Sequence, residues 1–275
     1  MNAILSKLSE LIHCNQVAHN HCISSNGIID LHFKNGCFIS DHIFDMYQTK
    51  RYSNSTIHNI CTWNIQELWW HSYSGCKINN ILYYILNSEY DVLCLQEVFD
   101  PHILNTILSH PNIQAKYPHF ITGNMRSKFI VGENSGLLVL SSHPILFKQF
   151  TPFIHSILPD SFASKGALYF VIGEINFIVT HLQSNDTSIA IRQLKYVIDN
   201  SPFTANTILL GDLNIPDPYS TLDLPRGIKI HTHESGLPLD HIISLQNDIP
   251  VSSIYVDYID IKNTSDHWPV VVQLC

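Results

Sequence analysis

The sequence predicts an α/β fold in which two mainly antiparallel β-sheets pack face to face, with helices on their outer sides. From residue 57 onward, strand-like apolar runs alternate with amphipathic segments of helical period. Several strand-like runs follow one another without a helix between them, which implies antiparallel pairing. The helical segments are too few for a doubly wound parallel fold.

The first 56 residues differ in character from the rest and are predicted to be an N-terminal extension of unknown role. A helical apolar stripe is formed by Ile4, Leu8, Leu11 and Ile12, and residues 28–39 indicate a hairpin that turns at Asn35-Gly36. We expect this extension to pack on the main domain, residues 57–275.

The main domain is predicted to begin with a strand at 56–64, because "ICTW" is a continuous apolar run. An amphipathic helix at about 77–88 follows, then a strand at 91–98 ("DVLCLQEV") and a short helix at 101–109. The run "SGLLVLSS" at 135–142 predicts the next strand.

The second half continues with two strands within 167–182, joined at Gly173. Residues 186–200 predict a helix, since Ala190, Leu194, Val197 and Ile198 form one apolar stripe. The runs 207–214, 239–245 and 268–274 predict the remaining strands.

The composition indicates a globular protein with a large core. The chain has 275 residues, of which 45% are hydrophobic and 14% charged, and its net charge is −8. This charge gives no basic footprint for nucleic acid, although an acidic protein can approach phosphates through a bound metal ion. No apolar run reaches the roughly 20 residues that span a bilayer, and Lys7 and Glu10 interrupt the N-terminal apolar stretch, so no signal peptide is recognised. We expect a cytoplasmic or peripheral membrane protein, and signal-independent export would leave the same pattern.

Polar residues stand repeatedly at the ends of the predicted strands. They are Asn64, Glu97, His181, Asp212, Asn214, Asp240, Asp266 and His267. Each alone has an ordinary explanation as a cap, a turn or a core histidine; "GDLNIP" alone fits an Asx turn. Together they indicate a site, because strand ends of a sandwich converge on one rim.

The ordered motifs "TWNIQ", "LQEV", "THLQ", "GDLNIP", "LDHI" and "SDHWPV" resemble the endonuclease/exonuclease/phosphatase superfamily, the DNase I-like metal phosphoesterases. The resemblance runs from about residue 57 to residue 275 and implies a four-layer α/β sandwich. It implies that Glu97 is the principal ligand of Mg²⁺, with Asn64 beside it and Asp266 at the metal, directly or through water. Mn²⁺ or Co²⁺ are possible substitutes. Oxygen ligands of this kind suit Mg²⁺, which keeps most of its waters.

The same resemblance implies roles for the other strand-end residues. His267 activates water or contacts the phosphate, and the carboxylate of Asp240 orients its ring. Asp212 handles a proton of the attacking water, Asn214 binds a phosphoryl oxygen, and His181 contacts the phosphate or assists the leaving group. Which residue deprotonates the water stays open.

Three stretches, 135–145, 160–170 and 180–194, resemble the neutral sphingomyelinases and their bacterial phospholipase C relatives. In that branch the lysine matching Lys165 lies near the scissile phosphate, and Asp160 belongs to the loop that positions it. A turn with a surface lysine would explain the same residues. The segment 247–264 shows no obvious aromatic tip like that of the membrane-inserting hairpin in the bacterial enzymes, and Trp69-Trp70 suits a membrane interface or a packed core equally well.

The sequence therefore predicts a Mg²⁺-dependent, monomeric phosphodiesterase that hydrolyses sphingomyelin or a related phospholipid at a membrane surface, releasing ceramide and phosphocholine. A nuclease or an inositol-phosphate phosphatase is the alternative with the same chemistry. A catalytically inactive binding module is the alternative from another class, although such a module has no need of this full residue set.

Overall fold

A computed structural model describes residues 21–24, 27–34, 37–40, 56–67, 75–123, 134–225, 230–246, 249–259 and 264–275. The strands, in chain order, are β1 (His21–Ser24), β2 (Gly27–Lys34), β3 (Cys37–Ser40), β4 (Asn59–Glu67), β5 (Val92–Val98), β6 (His119–Thr122), β7 (Leu138–Ser141), β8 (Ile145–Pro152), β9 (Gly166–Ile172), β10 (Ile175–His181), β11 (Thr207–Asp212), β12 (Asp240–Ser244), β13 (Val251–Val256) and β14 (Val270–Leu274). The helices are α1 (Gly75–Asn87), α2 (Pro101–Ser109), α3 (Pro111–Lys116), α4 (Thr187–Asp199) and α5 (Pro218–Leu222), with a 3₁₀ turn at Asp160–Phe162.

The chain divides into two compact units, residues 1–53 and 54–275. In the first unit, β1, β2 and β3 form an antiparallel sheet in that order. Lys34 pairs with Cys37, so the predicted strands on either side of Asn35-Gly36 are confirmed. The helical stripe that begins at Ile4, and the Trp69-Trp70 pair, lie outside the described residues. The predicted boundary at residue 56 and the predicted packing of the extension stay predictions.

The second unit contains a six-stranded sheet, ordered β13-β14-β4-β5-β7-β6, and a five-stranded sheet, ordered β12-β11-β10-β9-β8. Each sheet has one parallel pair, β4 with β5 and β10 with β11, and all other neighbours are antiparallel. Both sheets are therefore mixed and mainly antiparallel, as predicted.

Along each central strand, successive side chains pack alternately into different hydrophobic cores. There are three such cores among the described residues. In β5, Val92 and Cys94 face the core between the two sheets, whereas Leu93 and Leu95 pack under α1, α2 and α3. In β10, Phe177 joins the core between the sheets, whereas Ile178 packs under α4 and α5. Successive strand side chains point to opposite faces, so both sheets are covered on both sides. The order helix, sheet, sheet, helix is the predicted four-layer α/β sandwich, which is confirmed.

In the second unit, the three strands that the sequence did not predict, β6, β8 and β13, all lie at sheet edges, as does the unpredicted β1 in the first unit. The side chains of β6, β8 and β13 are largely half-buried or exposed, so their sequences lack the continuous apolar runs of the central strands. The short helices α3 and α5 were also not predicted. In addition, β4 runs past Asn64 to Glu67, with an irregular register against β5 after Asn64.

The topology brings the polar strand ends to one edge of the molecule. The strands β10 and β11 are parallel and end there, while β12 is antiparallel and begins there. Their registers set His181 opposite Asp212, and Asp212 opposite Asp240. Asn64 and Glu97 occupy the corresponding end of the parallel pair β4 and β5. Among the described helices, none is long and apolar enough to cross a bilayer.

Candidate active site

Asn64 links two carboxylates that come from different sheets. Its Nδ2 donates to Glu97 Oε1 and to Asp212 Oδ2, each at 3.0 Å, and its Oδ1 accepts from the backbone N–H of Gln66 at 3.0 Å. The amide nitrogen, and not the oxygen, therefore faces the carboxylates. Binding a metal ion through Oδ1 would require the amide to turn over and to give up its bond to Gln66, so this predicted role stays a prediction.

Glu97 stands at the end of β5 in the left-handed backbone region, with φ of 59°. Such a backbone is uncommon for a residue with a Cβ, and in the described part of the chain it recurs within the site at Gln66 and Asn214, each with φ of 51°. Burial raises the pKa of the Glu97 carboxyl, while the charge of Lys165 opposes that effect. A buried carboxylate in this setting favours a cationic partner.

Lys165 enters the same cluster through His181. Its Nζ lies 3.0 Å from His181 Nε2, 2.8 Å from Asp160 Oδ1 and 3.0 Å from the backbone oxygen of Leu182. Burial, followed by the charge of Lys165, holds the pKa of His181 well below its usual range, so the ring is neutral. The lysine donates to Nε2, which places the ring proton on Nδ1. The contacts of Nε2 with Glu97 and Asp212, at 3.7 and 3.6 Å, are therefore not ion pairs.

Asp212 and Asn214 form a compact turn at the end of β11. Asp212 Oδ1 accepts from the Asn214 backbone N–H at 3.0 Å, and Asn214 Nδ2 donates to the Leu182 oxygen at 3.2 Å. The Asx turn that "GDLN" alone suggested is therefore present. It coexists with the site, because the other carboxylate oxygen, Oδ2, faces Asn64 and both site histidines.

Asp240 and His267 are a closely paired carboxylate and imidazole. His267 Nδ1 lies 2.7 Å from Asp240 Oδ2, and the same oxygen accepts from Thr232 Oγ1 at 2.7 Å. His267 Nε2 then points toward Asp212 Oδ2 at 3.8 Å. Burial lowers the pKa of His267, but the carboxylates of Asp240 and Asp212 outweigh it and raise the pKa to about 10. His267 is therefore a cation at neutral pH.

The pKa of Asp212 is shifted upward, in the direction that a proton acceptor requires. Burial is the largest cause, and it raises the pKa of the carboxyl to about 7, while the charge of His267 lowers it. The pKa values of Asp212 and His267 are both raised, so Asp212 titrates near neutral pH while His267 keeps its proton.

Asp266 lies near the same ring nitrogen of His267, Nε2, that faces Asp212. Its Oδ2 accepts from Gln66 Nε2 at 2.6 Å and lies 3.4 Å from His233 Nε2, while its Oδ1 is 3.8 Å from His267 Nε2. Burial raises the pKa of Asp266, but His233 and His267 outweigh it and the net shift is downward. Among the described residues, Asp266 shares a possible metal-ligand group with His233 and His267, and Glu97 belongs to a different one. Its predicted place at the metal stays a prediction.

The donor chemistry fits a hard divalent cation. Glu97, His181 and Asp212 each bring one ligand atom within 4.8 Å of the others, and Asp212, Asp240 and His267 do the same. The two carboxylates nearest to Asn64, Glu97 and Asp212, are the oxygen ligands that Mg²⁺ uses. His181 Nε2 is occupied by Lys165 and His267 Nδ1 by Asp240. Carboxylate oxygens are therefore the better candidates for ligands.

The residues in contact with the predicted site that were not found from the sequence include His233, Gln66 and Ser265, in addition to Thr232. His233 touches Asp266 and packs edge-on against the His267 ring, with centroids 4.5 Å apart. Gln66 bonds Asp266. Ser265 Oγ donates to the backbone oxygen of Asn64 at 2.6 Å and accepts from the backbone N–H of His267 at 3.0 Å. Gln66 and Ser265 stand inside quoted motifs, whereas "HTHESG" offered only a local excess of histidine.

A family model for the Endonuclease/Exonuclease/phosphatase family matches residues 61–267. The chain therefore belongs to this family of hydrolases, as the ordered motifs predicted.

Individual relatives agree with the sphingomyelinase branch. A sphingomyelinase C of Bacillus cereus is 29% identical over 161 residues, which cover 48% of this chain and 47% of that protein. The match thus spans about half the length of the relative.

Solved structures share the fold. Sphingomyelinase C from Streptomyces griseocarneus has a TM-score of 0.65 at 19% identity, covering 80% of this chain and 100% of that one. A Staphylococcus aureus beta toxin with bound magnesium ions has 0.63 at 19%, with coverage of 80% and 100%. D. rerio TDP2 complexed with a single-strand DNA product has 0.62 at 16%, also with 80% and 100%.

Proposed function

We propose that this protein is a divalent-metal-dependent phosphodiesterase that cleaves sphingomyelin to ceramide and phosphocholine. The observation that carries the proposal is the position of Lys165, which is bonded to His181 at the edge of the Glu97–Asp212 carboxylate cluster. The similarity to sphingomyelinase C of Bacillus cereus supports the choice of substrate. The protein would act as a monomer at a membrane surface.

Glu97 would be the principal ligand of the cation, with Asn64 beside it. Mg²⁺ is the expected ion, and Mn²⁺ or Co²⁺ could replace it. When bound, such an ion supplies positive charge to the phosphoryl oxygens. Burial raises the pKa of the Glu97 carboxyl, and the positive charge of a bound ion would act in the opposite direction.

The proton transfer is assigned to Asp212. With a pKa of about 7 it can accept a proton from the attacking water near neutral pH. His267 is a poor proton acceptor with a pKa of about 10, so its Nε2–H would instead donate to a phosphoryl oxygen. Asp240 holds the ring in that orientation through the bond to Nδ1.

Lys165 adds a second positive charge beside the phosphate position. Its site is almost fully buried, and a charge acts more strongly where water is excluded. The neutral ring of His181 would contact the phosphate or assist the leaving group. Asn214 would bind a phosphoryl oxygen.

The fold by itself does not choose the substrate, because a protein complexed with single-strand DNA shares it. The net charge of −8 weighs against a long polyanionic substrate.

The test measures phosphocholine release from sphingomyelin vesicles and nicking of plasmid DNA, each with Mg²⁺ and with EDTA. We expect Mg²⁺-dependent phosphocholine release and no efficient nicking. Glu97→Ala should abolish turnover with an unchanged circular dichroism spectrum, whereas Glu174→Ala, which removes an exposed carboxylate at the β9–β10 turn, should not. Lys165→Ala should reduce release strongly while metal binding is retained. Full turnover in EDTA would contradict the metal role; efficient nicking with sphingomyelin untouched would contradict the substrate.

A further inference from the structure

The loop between β8 and β9 exposes an unusual concentration of apolar side chains. We call residues 153–163 the apolar loop. Ile154 is 74% exposed, Ile157 43%, Leu158 61% and Phe162 51%. Four of the ten large apolar side chains that are exposed in the described part of the chain thus lie within nine residues. Scattered exposed apolar residues need no explanation, but a local cluster indicates a contact surface.

The backbone of the apolar loop is held by hydrogen bonds from side chains of residues 183–193. Gln183 accepts from the Ile157 N–H at 3.0 Å and donates to the Ile157 oxygen at 3.2 Å. Asn185 Nδ2 donates to the Leu158 oxygen at 2.8 Å, and Gln193 Nε2 to the His155 oxygen at 2.8 Å. Because these bonds fix the backbone, the loop cannot bury its apolar side chains by collapsing onto itself.

The apolar loop is joined directly to the candidate active site. Asp160, at its centre, pairs with Lys165 at 2.8 Å, and its other oxygen accepts from the Ser184 N–H at 2.6 Å. Lys165 in turn contacts His181. A partner seated on the apolar loop is therefore one ion pair away from the proposed phosphate position.

The charged residues in and around the apolar loop indicate which kind of partner it can bind. Between Lys148 and Lys165 the sequence has no lysine or arginine, and Asp160 is already paired within the protein. The whole chain carries a charge of −8. A loop that brings no lysine or arginine of its own has little to attract anionic lipids, whereas apolar side chains can enter an uncharged interface.

We propose that the apolar loop inserts into a zwitterionic phospholipid surface and holds the active site against it. The inference rests on the proposed function for its substrate, but binding itself needs no turnover. Removing one inserted side chain costs its transfer to the apolar phase, so each substitution should weaken partition about tenfold or more.

The test is sedimentation of the full chain with sucrose-loaded vesicles of phosphatidylcholine that contain no sphingomyelin. We expect the wild type to sediment with the vesicles, with little dependence on salt. Leu158→Ser and Phe162→Ser should each lower the partition coefficient about tenfold or more. The matched control is Phe120→Ser, since Phe120 is also 51% exposed but lies on the edge strand β6, where it pairs with Leu140 of β7. It should leave partition unchanged.

A second assay separates docking from chemistry. The loop variants should retain the wild-type rate on a short-chain sphingomyelin kept below its critical micelle concentration and should lose turnover on vesicles. No binding by the wild type, binding that requires anionic lipid, or equal effects of Phe162→Ser and Phe120→Ser would each overturn the proposal. If neither sphingomyelin substrate is hydrolysed while the loop variants alone lose vesicle binding, the proposed function fails and the docking surface stands.

Discussion

His267 is the residue whose protonation depends most directly on its neighbours. It stands between Asp240, Asp212 and Asp266, at 2.7, 3.8 and 3.8 Å. The ring is buried, yet these carboxylates keep it charged. Its orientation depends on a single short bond, the one from Nδ1 to Asp240.

We expect Asp240 and His267 to act as one unit. Asp240→Asn and His267→Gln should each raise the activation barrier by several kcal/mol, of order 3, and the double variant should be little worse than the poorer single variant. The measurement is kcat/KM for the four proteins, with Asp199→Asn, an exposed carboxylate on α4, as the control. Fully additive losses would show that the two residues work independently.

His233 is expected to position Asp266. Its Nδ1 accepts from the backbone N–H of Ser235 at 3.0 Å, so the ring presents its Nε2–H to Asp266 Oδ2 at 3.4 Å. His233→Leu removes this donor and should lower kcat about tenfold with KM nearly unchanged. His233→Gln keeps an N–H donor and should recover most of the loss.

The control for His233 is the exposed His231, two residues earlier, whose replacement by Leu should not change kcat. Equal losses in His233→Leu and His233→Gln would indicate a packing role instead.

At the scale of secondary-structure elements, the close approach of β10 and β11 decides where Asp212 lies. Gly211 has φ of 137°, and a Cβ placed there would stand 1.9 Å from the Thr180 oxygen on β10. The pair β10 and β11 carries His181 and Asp212 side by side. A shift between these two strands would therefore separate two residues of the site.

We expect Gly211→Ala to cost about 3 kcal/mol or more in the free energy of unfolding, because the backbone must move, and to reduce turnover. The matched control is Gly173→Ala at the β9–β10 turn. Gly173 also has a positive φ, 58°, but has no atom within 4 Å of its Cβ position, so only the backbone cost of about 1 kcal/mol applies. Urea unfolding at one fixed pH measures both. Equal costs would contradict the close approach.

For the whole molecule, His267 should make stability depend on pH. The folded protein holds its proton up to about pH 10, whereas an unfolded histidine releases it near the ordinary value of about 6.5. The folded state therefore binds more protons between these limits. The stability due to His267 is fully present below about pH 6.5 and is lost as the pH rises to about 10.

The measurement is the free energy of unfolding in EDTA at several pH values between 6.5 and 10. Wild-type stability should fall across this range more steeply than that of His267→Gln, and the difference between the two profiles removes the contributions of groups that do not interact with His267. His231→Gln should follow the wild type. Parallel profiles for wild type and His267→Gln would mean that His267 is not charged in the folded protein.

Different parts of the fold and of the site could be predicted from the sequence to different extents. The central strands could be predicted from the sequence because both of their faces are buried. In β5, for example, apolar residues fill the core between the sheets and the core under the helices. The edge strands β6, β8 and β13 could not be predicted, since pairing on one side and half-buried side chains allow a mixed sequence. The functional residue set followed from ordered motifs that resemble a known family.

The sequence alone determined which residue types stand at the ends of the buried strands, and therefore the family and the class of chemistry. Only the tertiary structure decided which atoms meet. It turned the nitrogen of Asn64 toward Glu97 and Asp212, bonded Lys165 to His181, and brought His233 against Asp266 across 33 residues of chain. The physical reason is that the local pattern of apolar and polar side chains in a strand already indicates whether that strand is buried. A contact between two elements depends instead on sheet register and direction, which arise only when the strands pair.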